Sequence, residues 1–332
     1  MIHASVLARH SGAGVLLSCA LGLALPLALA PAPAAAQNFP EKPLLFIVPS
    51  SAGTTTDILA RVIGESMSKT LRETIIVEDK PGADQIIGLE FVAKGAPADG
   101  HTVGIVGIDG QALLPLTKKG LRFDPINDLA MVAGLGEVRY ALAGPSTAPY
   151  KNFKELIDAV KASPGKFNYG SSAPQVRFPS LVLMQELGLD MVYVPFAGGG
   201  PYLTAVAAGT VDWGIVGEGT GGALKPRVRF YAVTGRARSP ANPDTPTFAE
   251  LGFLRVYGPA YAMLVRAGTA PAIIDKLSGA AAIAMASPEV KNGVQKLLFE
   301  INFDKADVAT KGFQERFRFY QEFAKKIDMK PE

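Results

Sequence analysis

Two apolar stretches constrain this chain more than any other feature. LAMVAGLGEVRYALAG (residues 129–144) and VYGPAYAMLVRAG (residues 256–268) are each longer than the strand a single sheet normally uses. The first sits where one alternation of strand and helix signals ends and another begins. The second follows a proline-rich connection, SPANPDTPTFAELGF, and is long enough to return to the first unit. Two strands that leave one α/β unit and enter another predict two lobes with a cleft that can hinge between them.

Each unit reads as α/β. From residue 43 the chain runs LLFIV, ILARVIGESMSKTL, TIIVED, IIGLEFVAKG and HTVGIVGI, a βαβαβ series that calls for a largely parallel sheet covered by helices. After residue 144 the alternation resumes. A helix is expected at 152–162, a strand at FNYGSS, a helix near 181–187, a strand at MVYVPF, a helix at 202–208, then strands VDWGIVG and VRFYAVTG. Helices at 272–286 and 313–327 close the chain. The expected organisation is a signal peptide over 1–36, a first lobe of 37–138 with 260–332, and a second lobe of 139–259. The signal is read from Arg9, the apolar run 11–30 and the small residues Ala34, Ala35 and Ala36 before a cut at Gln37. It directs the mature chain to export from the cytoplasm.

Composition then excludes several chemistries. The sole cysteine, Cys19, lies in the signal, so the mature chain has no disulfide, thiolate nucleophile or cysteine metal ligand. His101 is the sole histidine beyond the signal. It sits where a turn enters a strand, no G-x-S-x-G elbow accompanies it, and a two-histidine zinc site is ruled out. The formal charge of +3 is scattered and gathers into no basic stripe, which argues against nucleic acid. Gly217, Gly219 and Gly222 form a literal G-x-G-x-x-G, yet Pro226 and a further strand follow where a dinucleotide site needs a helix, so no cofactor is expected.

In an open parallel sheet, ligands sit outside the carboxyl ends of the strands. In the first lobe that rule selects IVPSSAGTTTD, where Ser50, Ser51, Thr54, Thr55 and Thr56 offer hydroxyls. Gly53 permits close backbone approach there, and a helix start favours an anion. Asp57 is either a helix cap or ligand-facing. No Gly-Lys-Ser/Thr follows, so the loop suits a carboxylate better than a nucleotide. Asp84 and Gln85 in DKPGADQIIG, and Asp109 in GIDGQALL, are either solvated turn residues or further contacts. In the second lobe, GSSAPQVRF brings Ser171, Ser172, Gln175 and Arg177, the arginine being a planar fork for a carboxylate or a surface ion-pair partner. VPFAGGGPYL brings Phe196, Gly198 and Gly199, whose backbone donors can converge on an anion. Glu218 can line the cleft from the end of VDWGIVG.

These stretches, with APADGHTVGI, VPFAGGGPYLTAVAAGTVD and PDTPTFAELGF followed by PAIIDKLSGAAAIAM, resemble the receptors of tripartite tricarboxylate transporters, also called Bug receptors. The resemblance runs over nearly the whole chain beyond the signal, in order. It implies a class II periplasmic binding protein, expected as a monomer, that closes around a small carboxylate and delivers it to a two-subunit membrane permease. It further implies that backbone groups of facing loops, at 50–57 and 83–88 in one lobe and 171–177 and 195–200 in the other, hold one carboxylate with two waters while the distal end sets specificity. The chain departs from the family pattern at Ser50–Ser51 and Thr54–Thr55. Asp84–Gln85–Ile86 replaces a Gly-Gly-Asn pattern, and Arg177 stands near the place of a histidine. Those departures imply an altered ligand end, open to an aromatic or longer dicarboxylate. Two other readings share the residues: a secreted hydrolase or lyase pairing Asp57 with Asp84 or Asp109, and a ligand-sensing receptor for a signalling partner.

Overall fold

The computed structural model describes residues 38–172 and 174–331, so the expected signal peptide lies outside the described residues. The chain begins with β1 (Leu44–Val48), α1 (Thr55–Leu71), β2 (Ile75–Asp79), a 3₁₀ turn (Ala83–Gln85), α2 (Ile86–Glu90) running into a π turn at Phe91–Gly95, β3 (Thr102–Gly107) and α3 (Ile108–Thr117). β1 is apolar and buried on both faces, as an interior parallel strand must be. α1 starts because the Thr54 hydroxyl accepts from the Asp57 N–H, and it buries Leu59, Ala60, Ile63 and Met67 at helical spacing. Arg72 in the left-handed region ends it.

The first long apolar stretch is two strands, β4 (Leu129–Val138) and β5 (Tyr140–Pro145), separated by Arg139 alone and belonging to different sheets. The second unit adds α4 (Phe153–Ala162), β6 (Asn168–Ser171), α5 (Pro174–Leu187), β7 (Val192–Pro195), α6 (Gly199–Ala208), β8 (Trp213–Gly217), the short α7 (Glu218–Gly222) and β9 (Val228–Val233). α4 opens on a reciprocal cap, the Glu155 N–H donating to Asn152 Oδ1 at 2.9 Å while the Asn152 amide reaches Glu155 Oε1 at 2.7 Å. α5 and α6 begin earlier than apolar spacing predicts, because their first turns are glycine, proline and polar residues with no apolar period. The chain returns through β10 (Ala260–Arg266), α8 (Pro271–Ala286), α9 (Pro288–Gln295), β11 (Phe299–Lys305) and α10 (Ala306–Lys326).

The first sheet has the order β11-β4-β10-β3-β1-β2 and the second β7-β6-β8-β5-β9. In the first, β1 to β4 run one way and β10 and β11 the other; in the second, only β5 opposes the rest. Both sheets are therefore mixed, with four parallel and five antiparallel pairings among the described residues, and the strands that run against the rest include β5, which enters the second sheet, and β10, which returns to the first. β11 and α9 are absent from the sequence reading. FEINFDK is an edge strand whose alternation breaks at a bulge between Ile301 and Asp304, and PEVKNGVQ is a short helix identified mainly by its Ser287 cap and Pro288.

Arg139 is 6% exposed and is fastened on both sides of the crossing. Its guanidinium donates to the Thr234 and Ala237 carbonyls at 3.1 and 2.5 Å and pairs with Glu300 of β11 at 2.5 Å. The lobes also touch through Phe178 of α5, edge-on to Tyr320 and Phe323 of α10 with ring centroids 4.6 and 5.1 Å apart. The bulged pairing of β4 and β11 depends on Gly136, whose φ of +141° and position leave no room for a side chain. A Cβ there would stand 2.1 Å from the Glu300 carbonyl oxygen. Gly136→Val is expected to lower stability by about 2 kcal/mol or more through strain and lost β11 pairing, measurable by urea unfolding.

Candidate functional site

The loop after β1 is held from within. Thr54 Oγ1 lies 2.8 Å from Ser50 Oγ and donates to the Ser51 carbonyl at 2.8 Å. Asp57 turns inward: Oδ2 accepts the Gly53 N–H at 2.8 Å, and Oδ1 meets Arg61 Nε at 2.6 Å, which in turn reaches Asp79. Thr56 is buried in the first helical turn, whereas Ser51 and Gly53 are exposed, and a Cβ on Gly53 would meet nothing within 4 Å. Thr55 hydrogen-bonds Tyr261 of β10. Burial pushes that phenol up to about 12, with the Thr55 bond pulling the other way. Tyr261 is thus a residue of this rim that the sequence reading missed, because it lies 206 positions away by number and is brought alongside only by the return of β10 beside β3.

The loop after β2 is strained. Ala83, Asp84 and Gln85 have φ of 47°, 55° and 79°, three consecutive non-glycine residues in the left-handed region, each costing on the order of 1 kcal/mol. The twist aims neighbouring side chains at the two ends of α3. Gln85 lies against Gly110, where a Cβ would come within 2.1 Å of its amide nitrogen, and Asp84 Oδ2 pairs with Lys118 Nζ at 3.0 Å. Gln85 Oε1 is buried with no hydrogen-bond partner among the described residues.

Two further acidic candidates face the interior. Asp109, 7% exposed, accepts from Arg316 at 2.6 Å and Tyr320 at 2.5 Å on Oδ1 and from the Ala260 N–H at 2.9 Å on Oδ2. Burial works against the Arg316 charge, but Asp109 beside it holds the guanidinium above its ordinary range, while burial also drives the Tyr320 phenol up. Glu218, fully buried at the end of β8, accepts from Asn242, which also bonds Lys225. Sequence type and position alone do not reveal that these carboxylates are committed to tertiary partners.

In the second lobe the candidates come together. Ser171 Oγ lies 3.0 Å from the Tyr193 hydroxyl, and its carbonyl accepts the Phe196 N–H at 3.0 Å. The Arg177 guanidinium stacks on the Tyr193 ring at 3.9 Å, and its buried Nε has no partner among the described residues. Gly198 and Gly199 start α6 with open space where a Cβ would stand, so packing does not demand glycine there. Gln175 is exposed at the seam between lobes, near Tyr140 and Pro259.

A cavity of about 380 Å³ lies between the lobes. Its walls are Leu113, Thr117 and Lys118 of the first lobe, Ser172, Arg177, Phe178, Leu181, Tyr193 and Phe196 of the second, and Met329 and Lys330 after α10. Three basic side chains and no acidic one line it. Ser50 to Asp57 lie outside its walls, and Asp84 touches it through Lys118. Another cavity of about 390 Å³ sits behind the crossing strands, where Glu137 and Asp304 offset Arg236 and Arg316 and, of the candidate strand-end loops, only that at the start of α3 contributes, through Ile108. The first is the better anion site on charge and on its place at the strand ends.

Residues 59–329 match the family described as tripartite tricarboxylate transporter family receptor. The chain belongs to that receptor family. A Cupriavidus necator relative described as "UPF0065 protein in gbd 5'region" is 31% identical over 292 residues, covering 85% of each chain. Among solved structures, periplasmic binding protein BugD is 27% identical with a TM-score of 0.69, over 89% of this chain and all of its own. MatC from Rhodopseudomonas palustris, solved with bound malate, is 27% identical with a TM-score of 0.67, over 86% and 99%. The receptors of this family are substrate-binding and periplasmic. Among the described residues no helix of this receptor is long and apolar enough to cross a membrane.

Removing the Asp109 charge strands Arg316. Asp109→Asn is expected to destabilise the receptor by about 3 kcal/mol, read from chemical unfolding. Glu137, beside the hinge, has its pKa raised by burial, with Arg316 pulling it down and Glu300 and Asp109 pushing it up. Its contribution is full below the ordinary carboxylate range and is lost as pH rises through the raised value. Glu137→Gln should therefore raise the unfolding midpoint at pH 8 more than at pH 4, measured by thermal scans.

Proposed function

We propose that this receptor captures a small organic carboxylate in the periplasm and passes it, as a monomer, to a two-subunit membrane permease. The observation that carries the reading is the cavity between lobes, where Arg177 and Lys118 are present without an acidic residue among its walls. Exposed Ser51 and Gly53 on one side, and Gly198 and Gly199 on the other, offer backbone approach to a carboxylate at the helix starts of α1 and α6. The strained 83–85 turn supports the same reading, since backbone held in the left-handed region persists where surrounding structure and use require it. The relative solved with malate argues for the same ligand class.

The lobe limits proposed are 37–138 with 260–332, and 139–259, with export directed by 1–36. An acid–base enzyme is the less favoured reading. Asp57 is engaged by Arg61 and Gly53, Asp84 by Lys118, and Asp109 by Arg316 and Tyr320, so none stands as a free partner for another. Binding without turnover is the expected behaviour. A carboxylate at 100 times its Kd should stabilise the receptor by about 2.7 kcal/mol, visible as a raised Tm. Screening malate, succinate, citrate, adipate, benzoate and the phthalates by thermal shift, with product analysis of each mixture, tests this. No shift at millimolar concentration with any acid, or conversion of a bound one, would overturn it.

A further inference from the structure

At the end of the first sheet away from the strand-end loops lies a cavity of about 1130 Å³. We infer that it is a separate binding site, for an uncharged amphiphile whose hydroxyl or carboxamide head is buried there and whose body is hydrocarbon. The strand register fixes its place. Tyr261 pairs with Gly107, the end of β3 that leads into α3, and β10 runs from there to Arg266, which pairs with Leu129 at the start of β4. The cavity uses Leu129, Ala130, Met131 and Leu264 from those far ends and closes between α8 and α10. It shares no wall residue with the cationic cavity between the lobes, so it stands apart from carboxylate capture.

Two buried side chains in its walls end in polar atoms with no partner among the described residues. Gln111, 1% exposed on α3, donates Nε2 to the Pro125 carbonyl at 2.6 Å, which orients the amide and leaves Oε1 without a donor. Ser278, 6% exposed in α8, leaves Oγ unpaired, although a serine inside a helix that does not face solvent ordinarily bonds the carbonyl one turn back. Buried polar groups are costly unless hydrogen-bonded, so two of them in the walls of one cavity mark where the polar atoms of a guest belong.

The class of guest follows from what these walls offer and lack. Gln111 Oε1 only accepts, so the guest must donate to it, whereas the Ser278 hydroxyl donates or accepts. An alcohol or a primary amide meets both demands. A carboxylate has no hydrogen for Gln111, and an ammonium would be buried with no buried acid beside it, because the charged walls Asp275, Lys305, Asp307 and Lys311 are all exposed and cancel in charge. Leu129, Met131, Leu264, Ile274 and Phe313 give hydrocarbon for the body. The volume exceeds the roughly 300–1,000 Å³ of drug-sized pockets, which leaves room for a chain. Gly279, next to Ser278, keeps one wall low. A Cβ there would meet nothing within 4 Å, so packing does not demand glycine, a residue that weakens a helix relative to alanine.

The test is titration of the mature receptor with octan-1-ol, octanamide, octanoate and octylammonium. It is followed through the methyl NMR signals of Ile126, Leu264 and Ile274 for this cavity and of Leu181 and Met329 for the cleft. The alcohol and the amide should shift the first group saturably and bind there at least about tenfold tighter than either ion. Gln111→Met, which keeps the side-chain length and removes the acceptor, should weaken both by about tenfold. Ser278→Ala should weaken them by about threefold while leaving Tm unchanged or higher, since it deletes an unpaired buried hydroxyl. Gly279→Phe should close the cavity to all four probes without altering the cleft signals. Equal affinity for the four heads, or undiminished binding in both Gln111→Met and Ser278→Ala, would overturn the inference by showing a groove that takes tails alone. Shifts confined to the cleft group would overturn it too, as would first-group signals that move with protein concentration alone and so mark a second copy seated there. None of these results bears on carboxylate capture, which the acid screen decides separately. Unfolding midpoints of the variants separate a folding defect from a binding one.

Discussion

The contact on which the rest of the molecule depends is the buried meeting of Asp109 with Arg316, Tyr320 and the Ala260 N–H. It joins three parts of the chain far apart in sequence: the first turn of α3, the start of the returning strand β10, and the closing helix α10. Desolvating an arginine and a carboxylate is costly, and the cost is met because Asp109 accepts three donors and Arg316 also donates to the Gly258 carbonyl and covers the Tyr257 ring. With that knot in place, α10 lies against β4 and α3, Phe178 of the other lobe finds Tyr320 and Phe323, and α3 points from the rim toward the cationic cavity.

Much of the fold was legible because both units obey one periodicity. Parallel strands buried on both faces read as apolar runs, and the first run too long for one sheet divides between the sheets at Arg139, whereas of the second only Ala260–Arg266 is strand, within one sheet, because Tyr257, Gly258 and Pro259 lead in as irregular backbone. What escaped was the region without that signal. β11 carries charges and a bulge opposite Gly134 and Gly136, and α10 opens with ADVATKG, whose apolar period is weak until Phe313. Among candidate ligand groups the backbone-rich loops were legible from composition. The direction of individual carboxylates was not, since an aspartate at a strand end looks alike whether it faces solvent or, as Asp109 does, the interior. Lys118, Tyr193 and Tyr261 gave no motif at all, and fall near the site only through tertiary packing.

The turn at 83–85 shows how local chemistry and family pattern meet. The resemblance places glycine at 84 and 85, where glycine would adopt positive φ without penalty; this chain keeps the left-handed backbone and accepts Asp84 and Gln85 in it. The strain is accompanied by two contacts glycine cannot make, one with Lys118 and one over Gly110. The turn thus carries side chains, and they stand along α3, whose far end lines the cavity.

The crossing at Arg139 has a mechanical consequence. A single residue separates strands that belong to different sheets, and its guanidinium is tied to carbonyls after β9 and to Glu300 on the far edge of the first sheet. The crossing is therefore an anchored post rather than a loose tether, made fast to both sheets at one residue.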